Sequence, residues 1–164
     1  MFLRDITIKN VEEYRKKLYS TPLLKTEGII KYNPERKGLK SNANCCIVEL
    51  DSGITDYYRF FVNKYYGINL IKPNWNPHIS IIQGEEVLLS EKNTLWKKYE
   101  GKEVEVLYYP FPRYSGDTDQ KYGSASGRFW FLTIECSFIN KLRGELNLGN
   151  IKTPHLTIGK NKEK

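Results

Sequence analysis

Two hydrophobic periods organise this chain. Residues 45–50 and 129–136 are nearly continuous apolar runs, and residues 102–109 alternate apolar with polar, so all three predict strands. Residues 54–66 instead place apolar side chains at 57, 58, 61, 62 and 65, which is helical spacing. Asp51-Ser52-Gly53 supplies a turn and helix start before it, and Gly67 a stop after it. Residues 138–146 predict a second helix, with Gly149 beyond its end. Further helices are predicted over 11–19, ended near Pro22, and over 90–99. Residues 28–32 read as a strand and 33–38 as a loop. Residues 113–127 hold almost no aliphatic side chain and are rich in Gly and Ser, which predicts one long loop.

Two strand-like phrases remain, and they repeat. Pro77-His78-Ile79-Ser80-Ile81 and Pro154-His155-Leu156-Thr157-Ile158 have the same order: proline, histidine, aliphatic, hydroxyl, isoleucine. They hold both histidines of the chain. Side chains of a strand alternate between its faces. Each phrase therefore presents an imidazole and a hydroxyl on one face and sends its aliphatics to a core. Each also follows a strand and a helix, so the order strand, helix, histidine strand occurs twice, over about 45–83 and 129–159. This reads as an internal duplication with a shortened second copy. Glu49 and Glu135 close the first strand of each copy and are expected to end strands, with orientation of an imidazole as the other role open to them. Two similar units facing each other would bring the histidine strands to one groove.

Composition changes this picture little. At 164 residues the chain fits one domain, or two small lobes sharing a core. A formal net charge of +7 favours an anionic partner, although the basic residues are dispersed and form no RNA-binding arm. Cys45, Cys46 and Cys136 are odd in number, two are adjacent, and no Cys-x-x-Cys accompanies the histidines. Buried free thiols in a reducing compartment are expected, with no metal site and no cofactor. The chain opens Met1-Phe2-Leu3-Arg4-Asp5 without a signal-peptide pattern, and no apolar run approaches the ~20 residues that span a bilayer. A cytoplasmic protein without membrane contact or an obligate protein partner is the expectation.

His78-Ile79-Ser80-Ile81 and His155-Leu156-Thr157-Ile158 resemble the paired motifs of the 2H phosphoesterase superfamily. The resemblance covers about residues 45–160. It implies an α+β fold of two pseudo-symmetric lobes, with antiparallel-rich sheets lining a central cleft, helices outside and no metal. The lobes would span about 45–84 and 129–160 of a single domain, residues 1–40 being an N-terminal extension. Members act on RNA termini, 2′,3′-cyclic phosphates, 2′–5′ linkages and cyclic oligonucleotides. Some are phage enzymes that destroy cyclic nucleotide signals of bacterial antiviral defence (anti-CBASS phosphodiesterases), which act in the host cytoplasm. The resemblance assigns catalysis to His78, Ser80, His155 and Thr157; serine in the first motif keeps the hydroxyl.

The chemistry of those residues agrees with that assignment. Imidazoles titrate near neutrality, so one can take a proton while the other gives one, and the hydroxyls can donate to phosphoryl oxygens. Trp75 is a candidate to stack on a base, and Arg113, Tyr114, Lys121 and Tyr122 of the polar loop are candidates to hold substrate. The expected activity is hydrolysis of a 3′–5′ linkage in a cyclic di- or trinucleotide. A 2′,3′-cyclic phosphodiesterase or 2′–5′ RNA processing enzyme, and a nucleotide-binding sponge without turnover, remain open alternatives.

Overall fold

A computed structural model describes residues 22–36, 44–85, 87, 94–115, 129–151 and 153–161. The fold is α+β. Its strands are β1 (Leu24–Tyr32), β2 (Cys45–Glu49), β3 (Leu70–Ile71), β4 (His78–Gln83), β5 (Glu103–Tyr108), β6 (Arg113–Tyr114), β7 (Phe129–Glu135) and β8 (His155–Asn161). Two full helices accompany them among the described residues, α1 (Ser52–Tyr66) and α2 (Ser137–Glu145). The strands follow one hydrogen-bonded path, β3-β8-β7-β5-β1-β2-β4, with β6 on β7. Every pairing is antiparallel. The β5–β7 joint holds only two residue pairs, Leu107 with Glu135 and Tyr108 with Ile134.

The helices begin and end as their sequences direct. Asp51 caps α1 by accepting a hydrogen bond from the Gly53 amide at 2.7 Å, and Gly67 ends it at φ 64°. That left-handed geometry is open to glycine without steric cost. Tyr58 and Val62 turn inward from α1, and Ile139 and Leu142 from α2. They join Val48, Ile79, Ile81, Leu132, Leu156 and Ile158 in one core. Each helix packs across the molecule: α1 lies on β8 and α2 on β4. The two strand–helix–strand units are therefore interleaved, each helix covering the histidine strand of the other.

Three features depart from the sequence reading. Residues 24–32, placed within an N-terminal extension, form an interior strand between β5 and β2. Glycine at 28 permits this, because a Cβ there would stand 2.4 Å from Val48 Cγ1 and 2.7 Å from Leu50 Cδ2. The long polar segment starts later than 113, since Arg113 and Tyr114 pair with Phe131 and Trp130 as β6. The short strand β3 was not foreseen; it pairs with β8 through Leu70 and Ile71. The helix expected over 11–19 lies outside the described residues, as do 90–93 of the one expected over 90–99, of which 94–95 are helical and 96–99 form turns. No helix among the described residues is long and apolar enough to cross a membrane. Cys45, Cys46 and Cys136 are free thiols.

Candidate active site

Strand alternation sorts the repeated phrase as expected. His78 and Ser80 are half-buried on one face of β4 while Ile79 and Ile81 are buried on the other. His155 and Thr157 are half-buried on β8, against buried Leu156 and Ile158. The repeat extends into the hydrogen bonding. His78, Ile79 and Ser80 face Glu49, Val48 and Ile47; His155, Leu156 and Thr157 face Thr133, Leu132 and Phe131. The register then shifts at the same place in both, skipping Ile81 in β4 and Ile158 in β8. Such a bulge bends and twists a strand locally. The Leu50 amide donates to the Pro77 carbonyl at 2.9 Å, and the Ile134 amide to the Pro154 carbonyl at 3.1 Å.

The register corrects one equivalence. Glu49 stands opposite His78, but the residue opposite His155 is Thr133, not Glu135. Glu135 instead accepts from the Tyr109 hydroxyl at 2.6 Å. Glu49 is bridged to Lys31 at 2.6 Å and also favours the protonated form of His78.

Strands β4 and β8 lie far apart along the sheet path, yet their Cα atoms approach within 8 Å. The sheet curls until the two histidine strands meet. Both imidazoles are held alike. His78 Nδ1 lies 2.8 Å from the Asn76 carbonyl and His155 Nδ1 lies 3.4 Å from the Thr153 carbonyl. A carbonyl only accepts, so Nδ1 carries the proton and a neutral ring leaves the Nε2 lone pair as its basic site. Burial lowers the pKa of His78 from the usual 6.5; the Asn76 carbonyl opposes this, and the charges of Arg36 and His155 press it further down. Burial likewise lowers His155, against the pull of the Thr153 carbonyl. Protonating one ring thus opposes protonating the other.

Two cavities adjoin His78. A cavity of about 260 Å³ is lined by Arg36, Glu49, Asn74, Trp75 and His78. Trp75 stands 6.3 Å from the His78 ring, and the Arg36 guanidinium lies over its indole at 4.9 Å. Beside it, a notch of about 20 Å³ is lined by Thr55, Arg59, Lys72, Trp75, His78 and Thr157. The notch joins the first histidine to the second hydroxyl and contains no carboxylate. A larger groove of about 570 Å³ lies nearby, but Glu27, Glu49, Asp51 and Glu103 line it, which repels a polyanion. Among the described residues no three His, Cys, Asp or Glu side chains cluster as metal ligands.

The sequence candidates separate here. His78, Thr157 and Trp75 share the notch. Ser80 shares the face of His78, and His155 packs edge-on to Phe131 at 5.6 Å. Arg113 lies beside Phe131, its guanidinium 5.9 Å from that ring, and is only 2 % exposed. Tyr114 follows it in the strand and therefore takes the opposite face, stacking on Trp130 at 5.4 Å, away from the histidines. Lys121 and Tyr122 lie outside the described residues. Sequence reasoning missed Arg36, Arg59 and Lys72, which no local motif distinguishes from surface cations. Compared with protein-family models, curated proteins and solved structures, the chain matches none.

Proposed function

We propose that this chain is a phosphodiesterase that hydrolyses a 3′–5′ linkage in a cyclic di- or trinucleotide, on a two-lobed scaffold of the 2H phosphoesterase type. The observation that carries the reading is the convergence of β4 and β8, whose imidazoles share one tautomer and influence each other's protonation. The matched bulges, proline-carbonyl contacts and crossed helices support descent of the two halves from one unit.

In the reaction, Nε2 of one neutral imidazole takes a proton from the attacking water. The oxygen bonds to phosphorus, and the bond from phosphorus to the ribose oxygen breaks. The second imidazole, protonated, gives its Nε2 proton to that leaving oxygen. Ser80 and Thr157 donate to the non-bridging oxygens, where charge gathers in the transition state. Proton exchange with solvent restores both rings. A cavity of about 260 Å³ beside His78 suits one nucleotide rather than a long strand. Trp75 at its wall offers a stacking surface, and the dispersed cations offer no track for RNA.

The test is incubation with cyclic dinucleotides and trinucleotides in excess chelator, followed by chromatography of the products, for the native chain and for His78→Ala and His155→Ala. Linear nucleotide products that vanish in both variants support the proposal. Intact ligand recovered after denaturation identifies a sponge. Turnover confined to 2′,3′-cyclic phosphates or 2′–5′ linkages moves the substrate class.

A further inference from the structure

Arg59 and Arg143 occupy one position in the repeat. Each lies ten residues beyond the strand residue that faces a histidine, Glu49 in one unit and Thr133 in the other. Each reaches across to the histidine strand of the other unit. Arg59 Nη1 donates to the Ile158 carbonyl at 3.1 Å, and Arg143 Nη1 donates to the Ile81 carbonyl at 2.7 Å. Ile158 and Ile81 are the residues that the register skips. A bulge removes a carbonyl from the ladder, and a guanidinium from the opposite helix supplies the missing donor.

The two arginines then diverge. Arg143 is 5 % exposed, and its fork is consumed: Nε donates to the Gly149 carbonyl at 2.5 Å, and Nη1 and Nη2 meet the Glu85 carboxylate at 2.6 and 2.7 Å. Arg59 is held by Ile158 and by the Asp56 carboxylate through Nη2, and it lines the notch with His78 and Thr157. A guanidinium carries five N–H donors in a fixed plane, so two anchors leave donors for a further acceptor. The notch, at about 20 Å³, has room for a single oxygen, since one water occupies roughly 10–15 Å³ on this measure.

We propose that Arg59 is the phosphate-docking group of this site, a cation fixed by its cross-strand brace to receive one non-bridging oxygen between His78 and Thr157. The proposal rests on the phosphodiesterase reading for the bond that is broken, but docking itself needs no turnover. Arg143 is the same device with its remaining donors closed by Glu85. Duplication thus left one brace structural and turned the other to the cleft.

The experiment titrates inorganic phosphate into the native chain, Arg59→Gln, Arg59→Lys and Lys64→Gln, following the histidine ring resonances, with the KM for a cyclic dinucleotide measured alongside. Lys64 is exposed on the same helix and matches the charge removed. Phosphate should shift the native resonances, and its affinity should fall about ten- to hundredfold in Arg59→Gln, as expected for losing a charge-assisted hydrogen bond. Arg59→Lys should fall less, and Lys64→Gln should stay near native. Should Arg59→Gln fail to fold, Arg59→Lys reads the same quantity, because it keeps the charge but loses the fork. An unchanged phosphate affinity and KM in the Arg59 variants, or no response in the native chain, overturns the proposal. Phosphate binding that depends on Arg59, without hydrolysis of any nucleotide, sinks the phosphodiesterase reading alone.

Discussion

His78 donates its Nδ1–H in a hydrogen bond to the Asn76 carbonyl at 2.8 Å, reaching back over Pro77 to its own chain. Proline fixes its own φ and holds the preceding residue extended, so the acceptor is delivered by the backbone itself. His155 and Thr153 repeat the arrangement over Pro154. Nitrogen NMR should therefore report both neutral rings as the Nδ1–H tautomer. Replacing either histidine by glutamine should cut turnover by about 10²–10⁴-fold, the usual worth of a general acid or base. A loss confined to KM would remove that residue from proton transfer.

Both imidazoles titrate below the ordinary 6.5 because burial penalises the cation. A depressed folded pKa contributes stability above the unfolded value, near 6.5, and that stability is lost as pH falls through the folded values. Unfolding temperatures recorded from about pH 7.5 downward should drop in the native chain and drop less in a His78→Gln, His155→Gln double variant. One proton shared by the pair also places the optimum of kcat/KM below pH 6.5, on apparent values that belong to the pair. A bound phosphate favours the imidazolium, so the kcat optimum should lie at higher pH. A kcat/KM profile still rising at neutral pH would contradict this.

Arg143 ties α2 to the end of β4 through Glu85 and the buried Ile81 carbonyl, and also holds the Gly149 carbonyl. Arg143→Met keeps much of the volume but leaves the Ile81 and Gly149 carbonyls without this donor. It should lower stability by about 1–3 kcal/mol in urea unfolding, from the buried Ile81 acceptor left unmade. No loss would mean that water or a neighbour replaces the guanidinium.

Gly28→Ala places a methyl against Val48 and Leu50 at the centre of the sheet. Overpacking of this kind costs about 1–3 kcal/mol, read as a lower urea midpoint at unchanged slope. A neutral result would show that β1 and β2 separate at little cost.

Much of this molecule was legible in one dimension. Both helices follow from their apolar spacing, with Asp51 and Gly67 as local signals that need no tertiary partner. The paired phrases set His78 with Ser80, and His155 with Thr157, on one face of their strands, because alternation is a property of the extended backbone. Arg59 and Arg143 were also within reach, since aligning the two copies puts them at the same offset; a lone arginine on a helix carries no such mark.

What the chain could not settle locally is which strands meet. That β1 is interior, that Thr133 rather than Glu135 faces His155, and that Arg113 is buried while Tyr114 turns away all depend on register. Register is chosen by the whole core, where a slip of one residue exchanges the two faces of a strand. The curl that brings β4 to β8, and with it a notch shared by His78, Thr157 and Arg59, arises from bulges and crossed helices acting together. Sequence specified the two half-sites; packing of one interleaved core made them neighbours.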